Sequence, residues 1–70
     1  MSERKNHILF IENNINDMNI ENRQEVLNMI LKAGIDKKNI IEKKIGTQIF
    51  FSSMSNDLLY TIYNYIKKNL

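Results

Sequence analysis

The chain has no cysteine, no proline, two glycines and one histidine. Without cysteine it can form neither a disulfide nor a thiolate metal site, so packing and hydrogen bonds must hold the fold unaided. The same absence suits a reducing compartment. No proline-marked linker or internal repeat divides it. Gly34 and Gly46 stand far apart, whereas a phosphate-cradling loop needs several glycines close together. A metal site at His7 would have to borrow carboxylates such as Glu3 and Glu12. A catalytic base there would need a nucleophile and an orienting partner, and its neighbours supply neither. Ser52, Ser53 and Ser55 have turn and capping settings, without the glycine-flanked strain of a nucleophile elbow. No apolar run approaches the ~20 residues of a membrane span, and no basic start leads into a signal-type segment. The expectation is a non-enzymatic chain without cofactor, metal or membrane contact, working inside the cell in the nucleus or cytoplasm.

What is present is dense apolar material in a short chain. Seventy residues, 43% hydrophobic and rich in isoleucine, make one domain near the lower limit for a self-sufficient core. Chains of this size are often completed by a partner or a second copy. The net charge of +2 is mild. Its basic residues come in separated pairs, Arg4-Lys5, Lys37-Lys38, Lys43-Lys44 and Lys67-Lys68, where a nucleic-acid protein concentrates them on one face. The abundance of Asn, Ile and Lys reads as AT-rich coding bias. The asparagines are scattered, so the chain is not low-complexity.

Hydrophobic spacing places the elements. Residues 1–6 are polar and read as a frayed, flexible arm, leaving 7–70 as a single domain. Ile8, Ile11, Ile15 and Met18 recur at spacings of three, four and three, a helical stripe, although the Asn-rich run from Asn13 favours a stop there. Asn19 suits an N-cap, and Ile20, Val26, Leu27, Ile30 and Leu31 give a second helix, Glu21 to Ala33, an apolar face closed by Gly34. Ile35 to Lys44 reads as a loop with a short helical or extended turn. A strand follows, Thr47 to Ser52, in which Ile49 and Phe51 alternate as one buried face requires. Ser53 or Ser55 then caps a last helix carrying Leu59, Ile62 and Ile66, with Asp57 and Lys67-Lys68 at the ends the helix dipole favours. The fold class is mainly α: three helices with one short β-strand or hairpin before the last.

The pattern Ile49-x-Phe51-x-x-Met54, then Leu59-x-x-Ile62-x-x-Tyr65-Ile66, resembles the extra-terminal (NET) domain of bromodomain and extra-terminal chromatin proteins. Ile11, Ile15, Met18, Val26, Leu27, Met29 and Ile30 fall where that family keeps the apolar residues of its first two helices. The match covers Ile11–Leu31 and Gly46–Ile66, and rests on apolar spacing. The resemblance implies a NET-like three-helix bundle that captures a short extended peptide by strand addition, with a setting in transcription or chromatin regulation. Carried over, the peptide-binding residues are Thr47, Gln48, Ile49, Phe50 and Phe51, with Met54 following in the turn, and Tyr65 takes a core position. The family's strand alternates acids with apolar residues; here Gly46, Gln48, Phe50 and Ser52 stand at the acidic positions, and Lys43-Lys44 precede them. The expected partner is therefore apolar or acidic rather than basic.

Phe50 has two readings. It faces outward if Ile49 and Phe51 face the core, and is then either covered by the Ile40-Ile41 loop or the N-terminal arm, or left as an anchor for a partner. Of the three tyrosines on the last helix, Tyr63 is expected at the margin and Tyr60 on the polar side, where boundary packing explains them better than base stacking. Two rival functions stay open. One is a homodimer pairing through the same strand. The other is a small nucleic-acid-binding domain contacting phosphates through Lys32, Lys37, Lys38, Lys43 and Lys44.

Overall fold

A computed structural model describes residues 3–70. It is mainly α, with three helices and a two-stranded antiparallel hairpin before the last: α1 Glu3–Asn14, α2 Ile20–Lys32, β1 Ile40–Lys43, β2 Gly46–Ile49 and α3 Asn56–Lys68. Single 3-10 turns, Ile15–Asp17 and Lys37–Asn39, follow α1 and precede β1.

Local chemistry sets the helix ends. The Asn14 side chain donates 2.8 Å back to the Phe10 carbonyl, an i−4 bond that competes with further helix, and α1 gives way to the 3-10 turn. Asn19 caps α2 by accepting from the Asn22 N–H at 2.8 Å. The other end is a Schellman closure: Gly34 takes φ +89°, its N–H bonds to Leu31 and the Ile35 N–H reaches Ile30. Of the two serines proposed for α3, Ser55 is the cap, accepting from the Leu58 N–H at 3.1 Å.

The core joins all three helices to the hairpin. Ile11, Ile15, Met18, Val26, Leu27, Ile30, Ile49, Phe51, Met54, Leu59, Ile62 and Ile66 are buried together, so the Ile49/Phe51 alternation points as expected and the α2 stripe does so at Val26, Leu27 and Ile30 but not at Leu31, which is 43% exposed. Tyr65 is half-buried against this cluster, and its hydroxyl donates to Asn22 Oδ1 at 3.2 Å, tying α3 to α2.

Four expectations are corrected. Helix α1 begins at Glu3, so Glu3 to Asn6 are not a frayed arm; Met1 and Ser2 lie outside the described residues. Arg4 is the reason. One guanidinium nitrogen donates to the Met54 carbonyl at 2.7 Å and to Asn56 Oδ1 at 2.9 Å, and the other to the Phe51 carbonyl at 2.9 Å. The second correction is Ile20, which is 64% exposed on α2 and takes no part in the core. Third, the stretch read as a loop supplies a whole strand. Asp36 caps the Lys37–Asn39 turn, and β1 then pairs Ile40 with Ile49, Ile41 with Gln48, Glu42 with Thr47 and Lys43 with Gly46.

The fourth is the extent of β2, which is Gly46–Ile49 and not Thr47–Ser52. The Phe50 N–H still bonds to the Asn39 carbonyl at 2.8 Å, but there β1 runs out, because the Asn39 N–H is already committed to Asp36. One residue on, the Phe51 carbonyl is taken by Arg4 and by the Met54 N–H. Backbone groups spent on a turn cannot extend a ladder.

Candidate functional site

The sequence places its site on β2, and the hairpin register shows which backbone groups are free there. Antiparallel partners alternate between pairs that exchange hydrogen bonds and pairs that do not. Since the Phe50 N–H bonds to Asn39, Gln48 and Gly46 face their β1 partners in the same way. Thr47 and Ile49 must then turn their N–H and C=O groups away from β1, toward the end of α1 and the turn after it.

At Thr47 that outer edge is already occupied. The Thr47 N–H donates to Asn16 Oδ1 at 2.8 Å, and Asn16 Nδ2 donates to the Thr47 carbonyl at 3.4 Å. One side-chain amide thus makes the donor–acceptor pair that a neighbouring strand would make. Edge strands are commonly protected in some such way against unwanted pairing. Gly46 permits the approach. A Cβ there would sit 3.0 Å from Asn16 Oδ1, and its φ of +147° is one that residues with side chains rarely adopt. Gly46→Ala is expected to lose about 1–2 kcal/mol of stability from backbone strain and displacement of Asn16. Chemical denaturation reads the loss, and an unchanged midpoint would remove this account of the hairpin.

At Ile49 the outer edge opens onto a cleft of about 170 Å³ lined by Glu12, Ile15, Thr47, Gln48, Ile49 and Phe51. This is smaller than a typical small-molecule site of roughly 300 Å³ or more and suits one or two side chains. Past Thr47 and Gly46 a wider cleft of about 400 Å³ separates the hairpin tip from the start of α2. It is walled by Ile20, Arg23, Glu42, Lys43, Lys44 and Ile45. Thr47 borders both clefts, so a path along the β2 edge joins them only when the Asn16 amide leaves Thr47.

Of the six residues expected to bind peptide, Thr47, Gln48, Ile49 and Phe51 meet around the smaller cleft. The other two do not join them. Met54 is buried beneath the turn before α3. Phe50 does not line the cleft; it shares a face with Gln48, lies diagonal to Ile41 and is 43% exposed. Ile41 therefore borders Phe50 without covering it. Sequence reasoning missed Asn16 and Glu12, which reach the edge from another element, and Ile20 and Ile45, whose exposure no local pattern announced.

A third cleft, about 570 Å³, opens between α1 and α3 beside His7, Phe10, Tyr60, Tyr63 and Lys67. Tyr63 is its centre, with ring centroids 4.6 Å from His7 and 4.8 Å from Phe10, and Lys67 Nζ 5.7 Å from its ring. Tyr63 is half-buried and Tyr60 55% exposed, the marginal positions expected for amphipathic rings. These contacts pack α1 on α3. Among the described residues, no three His, Cys, Asp or Glu side chains gather as a metal would require. Nor, among them, is any helix long and apolar enough to cross a membrane. No family model matches the chain, and neither does any curated protein or solved structure.

Proposed function

We propose that this chain is a non-enzymatic protein-interaction module that captures a short extended segment of another protein by adding it as a strand to β2. The observation that carries this reading is the register of β2, which turns the Ile49 backbone away from β1 on the side where a cleft of side-chain size is lined by Ile49 itself. Strand addition takes its affinity from such main-chain groups and its specificity from pockets for alternate side chains. Ile49 and Thr47 supply the main-chain groups, and the cleft between Glu12, Ile15 and Phe51 receives a side chain. The apolar spacing shared with NET domains supports the same reading, and by that analogy the setting is an intracellular regulatory assembly, nuclear or cytoplasmic. Pairing with a second copy through this edge is the rival, since the same groups serve it.

The edge variants separate these possibilities. Isotope-labelled protein is titrated with decapeptides alternating apolar with acidic, basic or neutral polar residues, and exchange of the Ile49 amide is followed. Capture predicts that at least one peptide protects that amide. Asn16→Ala, which no longer has to be displaced from Thr47, should bind about fivefold more tightly while the fold loses about 1 kcal/mol. Thr47→Pro removes the edge donor that Asn16 now holds, leaves the β1–β2 ladder bonds in place and should abolish binding. If no peptide protects Ile49, or Thr47→Pro binds as well as the wild type, strand capture is wrong. A mass by light scattering that doubles with concentration, and halves in Thr47→Pro, would assign the edge to self-pairing.

A further inference from the structure

The wide end of the path carries a charge and an apolar content that the strand edge lacks. Ile45, at the hairpin tip, is 93% exposed, and Ile20, at the start of α2, is 64% exposed. They border the same cleft, and neither belongs to the core. Isolated exposed isoleucines need no explanation. Two lining one cleft together with charged side chains form a patch with a chemistry of its own. Arg23, Lys43 and Lys44 line the cleft against the single acid Glu42, so it is basic. Glu12 lies at the opposite end of the path, beside Ile49.

We infer that the cleft between the hairpin tip and α2 binds an acidic–apolar stretch of the captured segment, its aliphatic side chains on Ile20 and Ile45 and its carboxylates on Arg23, Lys43 and Lys44. This rests on the strand-capture reading for the continuation of the segment along β2, and adds the chemistry of its partner. Charge complementarity selects the acids. The apolar centre selects a peptide over a nucleic acid: aliphatic side chains gain nothing from phosphates, no aromatic ring lines this cleft for base stacking, and Glu42 repels a polyanion. The path also has direction. Carboxylates belong at the hairpin tip, and a neutral or basic residue belongs near Glu12.

The test titrates three probes into labelled full-length chain: a decapeptide alternating isoleucine with glutamate, the same peptide with lysine for glutamate, and a short DNA duplex. The acidic peptide should shift the Ile20, Arg23 and Ile45 amides and bind on the order of tenfold more tightly than its lysine counterpart. The paired charge reversal Lys43→Glu with Lys44→Glu should invert that preference. Ile45→Ser should leave the thermal midpoint unchanged, since the side chain is already in water, yet weaken the acidic peptide about fivefold. Equal binding of both peptides, no inversion, or an Ile45→Ser variant that binds like wild type would overturn the inference. Duplex shifting these amides where the acidic peptide does not would also overturn it, in favour of a phosphate-binding patch. If the lysine peptide wins and protects the Ile49 amide, strand capture stands and the acidic preference falls. If the acidic peptide shifts Ile20 and Ile45 but leaves Ile49 unprotected, the cleft stands and strand addition falls.

Discussion

Arg4→Ala is expected to lower the unfolding free energy by about 2–3 kcal/mol, a large share of the roughly 4–10 kcal/mol available to a domain of this size. The guanidinium bonds to the part-buried carbonyls of Phe51 and Met54 and to the Asn56 side chain, at 2.7–2.9 Å. Those carbonyls belong to the turn that redirects the chain from β2 into α3, and truncation to alanine strips both of a charged donor. Each charge-assisted bond is worth about 1.5–3 kcal/mol, and partial exposure brings the total below the sum. Arg4→Lys should recover only part of the loss. One ammonium lacks the planar fork that spans two carbonyls and an amide. Urea denaturation gives the stability. Exchange of the Met54 amide, bonded to Phe51, reports the turn directly. A midpoint within about 0.5 kcal/mol of wild type would show that Arg4 does not hold the turn.

Ile62→Ala carries the other large effect, an expected loss of about 3–5 kcal/mol. Ile62 is fully buried at the middle of α3, the helix that packs on both α1 and α2. Truncation removes apolar contact and leaves a cavity in a core with few residues to spare for filling it. A 70-residue chain without a disulfide has no second source of stability. The variant should therefore be mostly unfolded near physiological temperature, whereas Ile62→Val should cost about 0.5–1.5 kcal/mol. Ile45→Ala is the matched control. It deletes comparable atoms from a side chain already 93% exposed and should leave the melting midpoint where it was. Circular dichroism melts of the three variants give the comparison, and a small loss for Ile62→Ala would mean that α3 packs more loosely than described.

The residues proposed for docking were only partly legible in the sequence. The resemblance groups Thr47, Gln48, Ile49 and Phe51 on one strand, and these four line one cleft. Met54 was drawn in by proximity in sequence, but the turn buries it. Phe50 is turned away from the core, as alternation with Ile49 and Phe51 requires, and does not line the cleft. Strand β1, allowed for only as an extended turn or the second arm of a hairpin, is not located by sequence, because Ile40-Ile41-Glu42-Lys43 places two apolar residues before two charged ones and shows no alternation. Only pairing with β2 gives it a structure.

By itself the sequence determined the three helices, most of each apolar stripe and both ends of α2. Asn19, Ser55 and Gly34 act on residues no more than four positions away, and such bonds form wherever the local chain allows them. Tertiary structure alone decided what happens at the edge of β2. Asn16 meets Thr47 across 31 positions, and Arg4 meets Met54 across 50. Contacts of that span depend on how helices pack and where a hairpin folds back, which no periodicity records. Whether an edge is open, plugged or flanked by charge is therefore settled only when the distant residues arrive.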